Sequence, residues 1–184
     1  MALYWRHECR ATVQLMDILI RNMTAGDYPS VAEIYGEGIQ TGNATFQQEI
    51  PSWESWDSAH VQSCRLVAVS GDKIAGWAAL SRVSERCVYG GVAEVSVYIG
   101  EAFRGQGIGL RLLEALVTES ESNEFWTLQS GIFPENTGSL RMHEKAGFRL
   151  VGRREKIGQM NGRWRDTLIL ERRSAIVGAT NIAV

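Results

Sequence analysis

Cysteine is scarce in this chain, and so are the features that would tie it to an oxidising compartment, a membrane or a nucleic acid. The three cysteines, Cys9, Cys64 and Cys87, are odd in number, widely spaced and unmatched by nearby histidines. That pattern indicates neither a disulfide framework nor a zinc site, and no metal is expected. A reducing, cytoplasmic setting is the default for such a chain. No apolar run approaches the roughly 20 residues of a membrane span. Arg6, His7, Glu8 and Arg10 interrupt the first sixteen residues, where a signal peptide needs a continuous apolar centre. His7, Glu8 and Cys9 read as solvated groups of a loosely held extension rather than as a metal or redox site. The formal net charge is only -2, so neither nucleic acid nor membrane is a natural partner. Internal repeats and low-complexity segments are absent as well.

What is present has the balance of one globular domain. With 184 residues, 45% of them hydrophobic and 22% charged, the chain can bury one sizeable core but not two ordinary ones. The stretch that organises the rest runs from Ala93 to Gly109, AEVSVYIGEAFRGQGIG. Its β-branched and aromatic residues predict a strand over Glu94 to Ile99, with Glu94, Ser96 and Tyr98 on one face and Val95, Val97 and Ile99 on the other. Gly105, Gly107 and Gly109 then free the backbone of Cβ atoms at every second position, so that successive N–H groups can curl round one small anion. From Ile108 onward, Ile108, Leu112, Ala115 and Leu116 oppose Arg111, Glu114, Thr118 and Glu121, which is amphipathic helical spacing. A glycine loop on a helix N-terminus at the end of a strand favours phosphate, through unpaired N–H groups and the positive end of the dipole. Taken alone, such a loop is also compatible with a plain tight turn.

Spacing decides which phosphate. A P-loop needs lysine and then serine or threonine after the last glycine, but Leu110 and Arg111 stand there. A dinucleotide fingerprint needs a third glycine where Leu110 lies. The stretch instead resembles the Arg/Gln-x-x-Gly-x-Gly/Ala motif of the GNAT superfamily of acetyltransferases, through Arg104, Gly107 and Gly109. The strand before it, and Asn136, Ser139, His143, Lys145, Gly147 and Phe148 after it, are similar to the phosphinothricin N-acetyltransferase branch. The resemblance covers Asp17 to Arg173. It implies an α+β (mixed α/β) GNAT fold: a central, mostly antiparallel twisted sheet with one splayed parallel strand pair, flanked by helices. Residues 1–16 are then an N-terminal extension, with Met16 an alternative start, and residues 174–184 a C-terminal tail.

The same resemblance implies acetyl-CoA as acetyl donor. Arg104, Gly105, Gln106, Gly107, Ile108, Gly109 and Leu110 would hold its pyrophosphate, and Val97, Tyr98 and Ile99 would line its pantetheine arm. Asn136, Ser139 and Lys145 would complete the cofactor site. The implied activity is transfer of the acetyl group to the primary amine of a small amino-acid-like molecule such as phosphinothricin or methionine sulfoximine, by a homodimer. Acetylation of a protein N-terminus or lysine, and non-catalytic binding of acetyl-CoA, are the alternatives.

Glu94 is the expected general base, because an ionisable residue in an otherwise apolar strand beside the thioester position can take the amine proton directly or through water. A strand-end salt bridge is its structural alternative. Asn136, Ser139 and His143 fall three and four apart on one helical stripe. His143 is either a proton donor to the departing thiolate or a packing residue. For the acceptor, Phe46, Arg82, Arg86 and Tyr89 are candidates. Phe46 stands in the loop that resembles the family's pocket lining, and the two arginines could grip a carboxylate or remain solvated in their loop. Trp53 and Trp56 read as core or dimer contacts. A hairpin joins Arg65–Ser70 to Lys73–Leu80 through Gly71 and Asp72, and a closing hairpin turns at Asn161 and Gly162.

Overall fold

The computed structural model describes residues 17–179, so the extension carrying His7, Glu8 and Cys9 lies outside the described residues. Seven strands form one sheet: β1 (Ile18–Asn22), β2 (Arg65–Ser70), β3 (Lys73–Arg82), β4 (Val92–Ile99), β5 (Thr127–Ile132), β6 (Arg149–Met160) and β7 (Arg163–Arg173). Their order is β1-β2-β3-β4-β5-β7-β6, and every neighbouring pair is antiparallel except β4 with β5. Four helices connect them: α1 (Tyr28–Gln40), α2 (Trp53–Ala59), α3 (Ile108–Ser122) and α4 (Thr137–Lys145). This is the mixed architecture that the resemblance implies, with one parallel pair at the centre of the described sheet.

Strand alternation divides the core in two. Leu66, Ala68, Ala78, Leu80, Ala93 and Val95 pack with Leu112, Leu113 and Leu116 of α3 on one face of the sheet. The residues between them, Val67, Trp77 and Ala79, pack with Val31 and Ile34 of α1 and Trp56 of α2 on the other. Buried on both faces, β2 and β3 need near-continuous apolar runs. Glu94, Ser96 and Tyr98 therefore share the α1–α2 face of β4, as the alternation predicts. On α3 the buried stripe is wider than sequence spacing indicates, since Leu113 and Val117 are buried too. The helix packs against α4 as well as the sheet, which narrows its solvent face.

Local chemistry sets the element ends. Thr24 and Asp27 form a capping pair, with the Asp27 carboxylate accepting from the Thr24 N–H at 2.8 Å; the turn Ala25–Asp27 is 3₁₀ and α1 begins at Tyr28. Asn136 caps α4 by accepting the Ser139 N–H at 3.1 Å, and Gly147 ends it at φ +86°. Asn161 and Gly162 both take positive φ, closing the β6–β7 hairpin. The chain just after Arg173, read from sequence as a tail, folds back: the Ser174 N–H donates to Trp126 O at 2.8 Å, and the Arg173 guanidinium donates to the carbonyls of Val177 and Gly178, each at 2.7 Å.

Candidate active site

The parallel pairing of β4 with β5 lasts three residues, Val92–Glu94 against Thr127–Gln129, while β4 stays paired with β3 as far as Ile99. Beyond Glu94 the two strands part, and a cleft of about 1020 Å³ opens along that gap. Backbone on this edge of β4 has no strand partner, an arrangement that favours an extended polar ligand in the gap.

At one end of the cleft stands the glycine loop. Gly105 and Gly107 have φ of +77° and +79°, and a Cβ on either would point into open space, so these glycines serve conformation rather than packing. Gly109 differs, because a Cβ there would meet Met142 Sδ of α4 at 2.7 Å, so this glycine lets the two helices pack closely. The first ladder bond of α3 runs from the Arg111 N–H to Gly107 O, which leaves the Ile108, Gly109 and Leu110 amides ahead of the ladder. Arg104, Arg141 and Lys145 line this end. Arg104 donates to Ile99 O at 3.1 Å and lies 3.8 Å from the Glu37 carboxylate. An anion is therefore met by helix-end amides and by three cations.

Glu94 stands where β5 leaves β4. Its Oε2 accepts weakly from Gln129 Nε2 at 3.4 Å, and a Cβ on Gly131 would sit 3.9 Å from its Oε1, so the carboxylate reaches into the gap itself. It forms no salt bridge among the described residues. His143 lines the cleft but is 2% exposed. Its Nδ1 lies 2.9 Å from Ser139 O, which makes Nδ1 the protonated nitrogen and Nε2 a bare acceptor, buried without a partner among the described residues. Burial holds its pKa below the ordinary histidine value, partly offset by the Ser139 carbonyl. Donation to a thiolate would need the imidazolium, which burial disfavours, and the ring stands edge-on to Phe148 at 5.0 Å.

The far wall is tied together by Arg165. Its guanidinium donates to Gly42 O and Asn43 Oδ1 at 3.0 Å each and to Glu135 at 3.1 Å, and it covers the Phe133 ring at 4.2 Å. Phe46 packs edge-on against Phe133 at 4.7 Å and so close to β6 that a Cβ on Gly158 would meet its ring at 2.7 Å. The α1–α2 loop is thereby fastened to β5, β6 and β7, and Phe46 is a cleft wall as expected.

All the other residues expected at the cofactor, including Val97, Tyr98, Ile99, Asn136, Ser139 and Lys145, line the cleft, except Gln106, which donates to Ala102 O at 3.1 Å. Arg82, Arg86 and Tyr89 do not line it. The loop after β3 folds on itself in a 3₁₀ turn, Cys87–Tyr89, where Arg82 donates to Gly90 O at 3.1 Å and Arg86 lies 5.5 Å over the Tyr89 ring. Sequence reading missed Tyr35, His60 and Ser96, which line both the cleft and a smaller annex of about 270 Å³ on the α1–α2 face. Trp56, expected as core or dimer contact, is 2% exposed in the core and also walls the annex together with Trp77. His60 follows α2 with no motif to mark it. Arg65, 7% exposed, holds it in place by donating to the carbonyls of Val61, Asp57 and His60, each at 2.7 Å, and by pairing with the Asp57 carboxylate.

Comparison with known proteins agrees with this geometry. Residues 28–148 match the Acetyltransferase (GNAT) family. A phosphinothricin N-acetyltransferase of Alcaligenes faecalis is 31% identical over 83% of this chain and 81% of its own. An L-methionine sulfoximine/L-methionine sulfone acetyltransferase of Pseudomonas paraeruginosa is 25% identical over 85% of this chain and 94% of its own. The crystal structure of a GNAT superfamily phosphinothricin acetyltransferase from Sinorhizobium meliloti in complex with acetyl-CoA superposes with a TM-score of 0.80 at 29% identity, covering 90% of this chain and 92% of that one. The chain thus belongs to the GNAT acetyltransferase family. It is an acetyl-CoA-dependent N-acetyltransferase. The Cβ-free loop, the helix-end amides and the three cations fit the phosphates of acetyl-CoA, and the splayed edge of β4 fits its extended arm.

Proposed function

We propose that the protein acetylates the primary amine of a small amino-acid-like molecule, of the kind named for its relatives, phosphinothricin or methionine sulfoximine. The observation that carries this reading is the position of Glu94: a carboxylate free of ion pairs, on the wall of the cleft where the parallel strands part. When bound, acetyl-CoA supplies an acyl group activated as a thioester. Glu94 takes one proton from the acceptor ammonium, directly or through water. The neutral nitrogen attacks the carbonyl, the N–C bond forms, the C–S bond breaks with the electron pair going to sulfur, and the second proton lost by the nitrogen balances the one the thiolate takes up from solvent, leaving the amide and free CoA. His143, with its Nδ1 proton committed to Ser139, orients the wall rather than delivering a proton. Replacement of Glu94 by Gln keeps size and removes proton acceptance. Turnover measured by CoA release falls by roughly 10²–10⁴-fold with acetyl-CoA affinity unchanged, and recovers partly at high pH, where the amine arrives neutral. Near-wild-type turnover of Glu94→Gln across pH would refute the assignment.

We further propose a cytoplasmic homodimer joined through the closing hairpin. β6 is a sheet edge, and Leu150, Val151, Ile157 and Trp164 on the hairpin are each more than half exposed. Of the tryptophans, Trp164 supports this; Trp56 and Trp77 are core. A monomer mass by light scattering at micromolar concentration would count against it.

A further inference from the structure

The annex on the α1–α2 face is separate in character from the rest of the cleft. Its aromatic walls are Tyr35, Trp56 and Trp77, drawn from α1, α2 and β3, and its polar lining is uncharged, from Gln47, Ser55, Ser96 and His60. Both tryptophans keep Nε1 sealed from solvent, so the surface they offer the annex is ring carbon. No residue lining it is a lysine, arginine, aspartate or glutamate. The one group there that could become cationic is His60, and it is held neutral. Its Nδ1 lies 2.6 Å from Trp56 O and its ring stacks on Trp56 at 4.1 Å, while burial and the nearby Arg65 charge lower its pKa. Arg65 cannot turn inward to help an anion, because its guanidinium is spent on Asp57 and three carbonyls.

The annex is also placed for a substrate of the kind proposed above. Ser96 belongs to both it and the cleft, and Glu94 is two residues before Ser96 on the same strand face, hence about 7 Å away along the strand. An amine beside Glu94 can therefore send a substituent on its α-carbon past Ser96 into the annex. An apolar cavity of about 150 Å³ already holds benzene; at about 270 Å³ the annex has room for a ring and the carbon that carries it.

We propose that the annex is the side-chain site of the acceptor, and that the acceptor side chain is uncharged and largely apolar, up to an aromatic ring in size. This rests on the amine-acetylation reading and narrows it. An anionic phosphinate side chain would enter an aromatic pocket with no charged partner, a costly exchange for its hydration.

The test is CoA release at saturating acetyl-CoA with L-phenylalanine, L-tryptophan, L-methionine sulfone, L-alanine and L-phosphinothricin. Phenylalanine, tryptophan or the sulfone is expected to exceed both alanine and phosphinothricin in kcat/KM by at least about tenfold, the usual discrimination of an apolar pocket. In Ala59→Leu, which grows a side chain into the annex from the end of α2, the phenylalanine-to-alanine ratio should fall about tenfold. Preference for phosphinothricin or alanine in the wild type would overturn the annex assignment while leaving amine acetylation standing. An unchanged ratio in a folded Ala59→Leu would overturn it equally. Acetyl-CoA binding by calorimetry with no amine acetylated would overturn the acetylation reading itself, and the annex assignment with it.

Discussion

The two ends of the cleft are built in opposite ways. The phosphate end is built on one contiguous segment, Arg104–Leu110, with Arg141 and Lys145 of α4 beside it, and its function is written chiefly in backbone conformation: two glycines at positive φ and the first amides of α3. The acceptor end is assembled from α1, the α1–α2 loop, the segment after α2, β3, β4 and β5, none of which carries a motif for it. One end recognises a constant donor with main-chain groups and cations. The other recognises a variable acceptor with side chains. The difference teaches that a ligand shared by a whole family is held by the backbone, where few sequences fit, whereas specificity sits on side chains that any alternating strand or helix can supply.

Three variants sharpen this contrast. The largest effect is expected at Arg65, which organises the acceptor end alone. Arg65→Met leaves the carbonyls of Val61, Asp57 and His60 without their donor, for a loss of about 3 kcal/mol from unsatisfied acceptors. Thermal denaturation should show a fall of roughly 6–12 °C, and kinetics below the new midpoint a raised acceptor KM with unaltered acetyl-CoA affinity. Loss of acetyl-CoA binding in the folded variant would show that the two ends are not independent.

Gly107→Val is the converse. At φ +79° an L residue is strained by roughly 1–2 kcal/mol, more for a β-branched one, although no neighbour opposes its Cβ. Calorimetry should give an acetyl-CoA affinity lower by about tenfold or more. An unchanged affinity would remove the loop from the donor site.

The smallest effect is on pH dependence. His60 and His143 both have folded pKa values below the ordinary histidine value, each chiefly through burial. Between the folded and unfolded values the unfolded chain binds more protons, so stability rises with pH there; it is fully present above about 6.5 and declines as pH falls through that window. Urea midpoints followed from pH 7.5 to 5.5 should fall in the wild type and fall less in His143→Gln. Equal slopes would show that His143 contributes nothing to acid lability.

Much of the fold was legible in the amino-acid sequence alone. The alternation of Glu94, Ser96 and Tyr98, the glycines at 105, 107 and 109 and the Asn161–Gly162 turn are local statements about φ, ψ and period, and their neighbours in sequence suffice to enforce them. Glu94 stood out for the same reason, as a charge in an apolar strand. Only the tertiary structure decided the rest. Arg82, Arg86 and Tyr89 had the chemistry for an acceptor carboxylate, but their loop closed on itself. His143 had the pKa range of an acid until burial and the Ser139 carbonyl settled its tautomer. Tyr35, the Trp56–His60 pair and Trp77, from three remote segments, became one pocket wall because α1 and α2 pack on the same face of β3 and β4. Which side chains share a cavity depends on contacts between remote segments, and no spacing along the chain encodes those distances.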